Sequence, residues 1–292
     1  DFANATLVVT LEPCNHHGKT PPCVEAIIKA GFGHVVFAVN DPNPIAEGGA
    51  KALTAAGISV ISGVENDYVA YCNRAWLKKI KTGNPWVITK VATTLDGKVA
   101  APDSTSQWIT SAESRSDVAQ IRNQVDAIVT TTATVLSDNP DLTPRFSGAN
   151  PSEREVNPIR IVIGEREIPA DAKIRNDRAE TRFIHSRSFS EVIKMAKAEG
   201  WNQVLVEAGS QFNSNLITSG HVDEILLYQA PSLLGQGKAF YENIAVATLT
   251  DRLDFTFGEI KRVGNDLRIQ LLSQATPYAG IFASAEFVEE VI

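Results

Sequence analysis

With 292 residues, 43% hydrophobic and 21% charged, the chain is long enough for two domains with separate cores and is ordinary for a globular protein. A formal net charge of −7 excludes the basic footprint of a general nucleic-acid binder, and no stretch approaches the roughly 20 apolar residues of a membrane span. Three cysteines, two of them close together, fit metal binding in a reducing cytoplasm better than a disulfide framework.

Residues 5–10 (Ala-Thr-Leu-Val-Val-Thr) are apolar and β-branched and read as a short strand. A cysteine-containing loop leads to a helix over 21–30, with Thr20 as its N-cap, two prolines in its first turn and Gly31 at its C-terminal end. Residues 34–39 read as a strand, Asp41-Pro-Asn-Pro44 as a turn, 49–56 as a helix and 58–61 as a strand. One long helix is expected over 65–81. This alternation implies a layered α/β domain over residues 1–84 with a largely parallel sheet.

Gly83-Asn-Pro85 marks a domain boundary. Beyond it, 86–92 reads as a strand, 94–98 as a turn, and 111–122 as a helix capped by Thr110 or Ser111. Strands are expected over 127–131, 159–163, 182–184, 203–207 and 224–229, with a short helical turn over 134–137 and helices over 189–199 and 211–219. Residues 253–261 and 266–272 form a hairpin about Gly264-Asn265. A second α/β domain therefore spans 85–274, and the tail over 275–292 carries no pattern.

The first chemical motif is Thr10-Leu-Glu-Pro-Cys14 followed by His16-His-Gly-Lys-Thr-Pro-Pro-Cys23. Eight residues separate the cysteines, and Cys23 falls in a first helical turn, where the helix dipole favours a thiolate that zinc takes readily. Two buried cysteines in a strand–helix unit would give the same spacing. The full string resembles the zinc-dependent nucleoside deaminase superfamily, in its riboflavin-biosynthesis branch. That resemblance implies a cytidine-deaminase-like α/β/α domain with Cys14 and Cys23 as metal ligands. It also implies that His16, Lys19 and Asn43 line a phosphorylated substrate.

The family also has a His-x-Glu motif upstream, whose histidine is the third zinc ligand and whose glutamate moves protons. Thirteen residues precede Cys14 here and none is histidine. The expectation is an N-terminally incomplete deaminase half without deaminase activity, with Glu12 in a structural role. The competing expectations are an intact bifunctional enzyme given without its start, or a reductase with a degenerate deaminase domain.

The second set is spread out: Lys90-Val-Ala-Thr-Thr-Leu-Asp-Gly-Lys98, Ser106-Gln-Trp-Ile-Thr110, Thr132-Ala-Thr-Val-Leu-Ser-Asp-Asn-Pro140 and Val206-Glu-Ala-Gly209. In this order the four are similar to the reductase domain of the bifunctional riboflavin-biosynthesis deaminase/reductase. That likeness implies a dihydrofolate-reductase-like α/β fold and NADPH as hydride donor. It places the cofactor against Ala92, Trp108, Thr134, Asp138, Gly209, Ser210, Gln211 and Phe212. Ser106, Arg122, Leu142, Arg145 and Glu207 would contact the substrate, a phosphorylated pyrimidine. Self-association is a further implication. Physically, Glu207-Ala-Gly-Ser210 ends a strand and opens a helix, where free amides can meet a phosphate, and two arginines suit a phosphate monoester. A binding domain without turnover is the non-enzymatic alternative.

Overall fold

The computed structural model describes residues 2–144, 157–242 and 245–276. The chain divides into two compact units, 1–83 and 84–292.

The first unit contains β1 (Thr6–Leu11), α1 (Cys23–Ala30), β2 (His34–Val39), α2 (Gly49–Ala55), β3 (Ser59–Ser62), α3 (Asn66–Cys72) and α4 (Arg74–Thr82). Its three strands run parallel in the order β1-β2-β3. Val24 and Ile27 of α1 and Leu53 of α2 pack on Val35 and Ile58 to form the core. Two local expectations fail. The helix after the cysteine loop begins at Cys23, with Pro22 extended at its N-cap (φ −56°, ψ 137°), so Thr20 does not cap it. Consecutive prolines favour extended backbone before them, which delays the helix. The expected long helix is two, broken at Asn73 (φ −97°, ψ 10°), whose side-chain amide donates to Val69 O.

The second unit contains β4 (Trp86–Thr94), β5 (Lys98–Ala100), α5 (Ala112–Arg122), β6 (Ala127–Thr131), α6 (Thr132–Asp138), β7 (Ile159–Ile163), β8 (Thr181–Ile184), α7 (Ser190–Glu199), β9 (Gln203–Val206), α8 (Ser210–Thr218), β10 (Glu224–Ala230), β11 (Lys238–Ala239), β12 (Phe255–Val263) and β13 (Asp266–Ser273). Eight strands form one sheet in the order β12-β13-β10-β4-β9-β6-β7-β8. The six from β10 to β8 are parallel, and β13 adds antiparallel at the β10 side with β12 as its hairpin partner. The short β5 pairs with β11 apart from the main sheet. Two- and three-residue strands show no alternation, which is why both escape a sequence reading.

Parallel strands covered on both faces read as continuous β-branched runs, and these do. Val87, Val129, Ile161, Val204 and Ile225 are buried together with Val192 and Leu216 from the helices. Ser111, not Thr110, caps α5: its hydroxyl accepts from Ser114 N. Asp266 fixes that helix start to β13, accepting from Ser111 N (2.7 Å) and Ser114 Oγ (2.6 Å).

The strand order carries the functional consequence. From β4 the chain moves out through β6, β7 and β8, returns to lay β9 between β4 and β6, and then crosses to β10. The direction of winding reverses beside β4. In open α/β sheets, a crevice opens at such a switch, beyond the carboxyl ends of the strands.

Candidate active site

In the first unit the loop after β1 brings the two expected thiols together. Cys23 opens α1, so its backbone N–H has no partner within the helix, and it donates to Cys14 Sγ at 3.4 Å. The hydrogen bond with Cys14, followed by burial, raises the Cys23 thiol above its ordinary value. Two adjacent sulfurs are the donor type that zinc accepts. Among the described residues, however, no group of three His, Cys, Asp or Glu side chains is arranged to hold a metal.

The other residues expected here are spread around the same loop. His16 is half-buried, with Nδ1 shielded from solvent and without a hydrogen-bond partner among the described residues. Lys19 is exposed. Asn43 closes the turn after β2: its N–H donates to Asp41 Oδ1 and its Oδ1 accepts from Ile45 N. Glu12 is buried and accepts from Asp41 N (3.1 Å) and Ala50 N (2.9 Å), so its carboxylate ties the β1 end to the next two segments.

In the second unit two of the expected residues, Arg122 and Glu207, meet just beyond the carboxyl end of β9. Glu207 directly follows β9, and its backbone is pinned to β6, its N–H donating to Val129 O (2.8 Å) and its carbonyl accepting from Thr130 Oγ1 (2.8 Å). Arg122, the last residue of α5, meets it bidentately, Nε to Oε1 at 2.6 Å and Nη2 to Oε2 at 2.9 Å. The two side chains are 18% and 11% exposed, so this is a largely desolvated fork-to-fork pair.

Lys90 of β4 completes the group. Burial pulls its ammonium below the ordinary lysine value against the pull of Glu207, and Arg122 lowers it further. Burial by itself would raise Glu207, but the charge and hydrogen bonds of Arg122, with Lys90 behind them, hold the carboxyl below its usual range. Burial likewise opposes the Arg122 charge, and Glu207 overrides it. One carboxylate thus faces two cations, and the lysine is the cation that can release its proton.

Asp138, at the end of α6, acts electrostatically on Lys90, and its Oδ1 lies 3.5 Å from Ser106 Oγ. Thr134, one turn earlier, has its amide and hydroxyl engaged by Thr131. Ala92 lies two residues beyond Lys90, on the same side of β4. Trp108, joined to Gln107 by a cis peptide bond, is 68% exposed, with the Arg115 guanidinium 4.5 Å from its ring centre.

At α8, Gly209 is the N-cap with φ −70°, and a Cβ there would meet nothing within 4 Å. The protein's own packing therefore does not demand glycine, and the open space lies outside the helix start. Ser210 donates to Glu242 Oε1 at 2.8 Å, Gln211 is exposed, and Phe212 turns inward against Phe189. Leu142 is buried with φ +58°. Arg145 lies outside the described residues.

Comparison with known proteins decides the family. Residues 85–269 match the model of the RibD C-terminal domain. The chain is 42% identical over 273 residues to riboflavin biosynthesis protein RibD of Mycobacterium tuberculosis, covering 93% of this chain and 79% of that one. This chain belongs to the RibD family of riboflavin biosynthesis proteins. RibD of Escherichia coli is 36% identical over 92% of this chain and 82% of its own length. Among solved structures, Acinetobacter baumannii RibD superposes with a TM-score of 0.82 at 33% identity, over 92% of this chain and 80% of that one. A Thermotoga maritima structure, described as a diaminohydroxyphosphoribosylaminopyrimidine deaminase/5-amino-6-(5-phosphoribosylamino)uracil reductase, gives 0.81 at 27%, over 92% and 79%. Both RibD-like superpositions span the two units, each a mixed α/β fold.

Sequence reasoning left Lys90 open, as a residue reaching the site or as a charge ending a strand. Lys90 shares an electrostatic group with Arg122, Glu207 and Asp138, although the four are far apart in the chain. Its only sequence signal was a charge inside an apolar strand.

Proposed function

We propose that the second unit is an NADPH-dependent reductase of 5-amino-6-(5-phosphoribosylamino)uracil, with a dihydrofolate-reductase-like fold. The observation that carries this reading is the desolvated Arg122–Glu207 pair beside Lys90, at the sheet's switch point and inside the stretch matching the RibD C-terminal domain. When bound, the dinucleotide supplies hydride to the carbon of the opened sugar.

The chain's own residues do the rest. Glu207, held ionised by Arg122, is placed to accept hydrogen bonds from sugar hydroxyls. Lys90, with its weakened hold on its proton, supplies that proton to the nitrogen as the carbon–nitrogen double bond becomes single. Ser106 and Asp138 border the same space and orient the bound molecules. The open helix start at Gly209 and Ser210, with the exposed Gln211, is where cofactor phosphate meets free amides.

For the first unit the reading is a cytidine-deaminase-like domain in which Cys14 and Cys23 would hold zinc. Bound there, the metal would supply an activated water. The two described thiols suit zinc, and the activity of this unit is what the second arm of the assay reads.

The test follows both reactions on one preparation: loss of NADPH absorbance with the ribosylaminouracil, and ammonia release from its diamino precursor. Reduction should proceed. Unchanged NADPH in the presence of that substrate refutes the reductase reading.

A further inference from the structure

Strand β7 reads Ile159-Arg-Ile-Val-Ile163, and its one charged residue is completely buried. Arg160 Nη1 donates to Asp141 O (3.1 Å) and Asn176 Oδ1 (3.0 Å), and Nη2 donates to the carbonyls of Asn176 (2.7 Å) and Ala179 (2.6 Å). Its guanidinium also lies 3.6 Å from the buried Asp141 carboxylate, which accepts from Thr143 Oγ1 (2.7 Å) and pairs with Arg178. Arg160 Nε is buried and has no hydrogen-bond partner among the described residues.

A buried ion pair with an orphaned donor is a poor device for stability, since an apolar side chain of similar volume does as well or better. What the pair does fix is backbone. The turn it grips, 139–143, holds two non-glycine residues in left-handed conformations, Asn139 at φ +42° and Leu142 at φ +58°. Such backbone persists only where its surroundings over-determine it. Asn139 Oδ1 is also held, accepting from Lys173 N at 2.8 Å. Immediately before this turn stands Asp138, beside Ser106 and Lys90.

We propose that Arg160 is a positioning residue for the reductase site: by gripping Asp141, Asn176 and Ala179 it sets the left-handed turn that places Asp138 and Leu142 at the substrate. This inference rests on the reductase reading, and its test separates the two. In Arg160→Lys the fork is lost and the charge kept. The KM for 5-amino-6-(5-phosphoribosylamino)uracil should rise at least about tenfold, within the ~100-fold that a displacement of about 1 Å costs. A merely structural role would lower the melting temperature and the active fraction, leaving KM unchanged; that result overturns the proposal.

If Arg160→Lys does not fold, Arg178→Ala removes the outer, half-exposed arm of the same carboxylate. A KM rise of about threefold supports the proposal, on the scale of one partly exposed ion pair, and an unchanged KM overturns it. Amide exchange gives a readout independent of turnover. Faster exchange confined to 139–143 in Arg160→Lys supports the positioning role even if the wild-type chain reduces nothing, in which case the reductase reading alone fails. Unaltered exchange there overturns the positioning role.

Discussion

The two units build their sites in opposite ways. The Cys14–Cys23 pair is local: nine positions apart in sequence, it is joined by a helix start whose free N–H meets the first sulfur. The charged group of the second unit is nonlocal: Arg122 and Glu207 are 85 positions apart and meet because β9 is laid between β4 and β6. A local motif can be read from the residues themselves. A nonlocal cluster is brought together only by the fold, which delivers it desolvated, with a lysine whose hold on its proton burial has lowered.

The widest separation between the units is expected in the paired assay after zinc chelation, with NADPH oxidation unchanged and ammonia release from the diamino substrate at background. Ammonia release at a comparable rate would break the contrast. Next in size is Glu207→Gln. It leaves Arg122 mostly buried without a counter-charge and should cost about 3–5 kcal/mol, read as a fall in denaturation midpoint together with loss of reduction.

The sign of its pH dependence follows from the lowered Glu207 carboxyl. Its stabilisation is complete above the ordinary glutamate range and is lost as pH falls through the depressed folded value. Wild type should therefore lose stability in acid over that window, and Glu207→Gln should lose less. Equal acid sensitivity of the two proteins would remove the pair from that role.

Lys90→Met should lower kcat about 100-fold, the usual scale of general acid catalysis. In wild type, kcat should fall as pH rises through the depressed Lys90 value, and that alkaline limb should vanish in the variant. A surviving limb in Lys90→Met assigns the proton elsewhere. The smallest effect belongs to Glu12→Gln, which weakens two charge-assisted bonds from Asp41 N and Ala50 N. The first unit should lose about 1–3 kcal/mol, with reductase kinetics unchanged. A shift in reductase KM would show that the two regions are coupled.

Much of the fold was legible because parallel strands in a covered sheet are apolar along their whole length, as residues 127–131, 159–163 and 203–206 are. Caps and breaks were less so. Thr20 has the right chemistry for an N-cap, but the two prolines set the helix start at Cys23. The stretch 65–82 has helical character throughout, and its interruption at Asn73 depends on a side-chain bond to Val69 O.

Composition, strand periodicity and the four spaced motifs determined the α/β class, the place of the boundary and the family expectation, because those signals are local or add along the chain. Sequence also supplied Cys14 and Cys23 as a pair. Only the tertiary structure decided that Lys90 joins Arg122 and Glu207, that Arg160 is buried against Asp141, and that Glu12 binds two backbone amides. The reason is physical: the charge state and partners of a buried group are set by what lies across the sheet, and strand order decides that, not neighbouring residues.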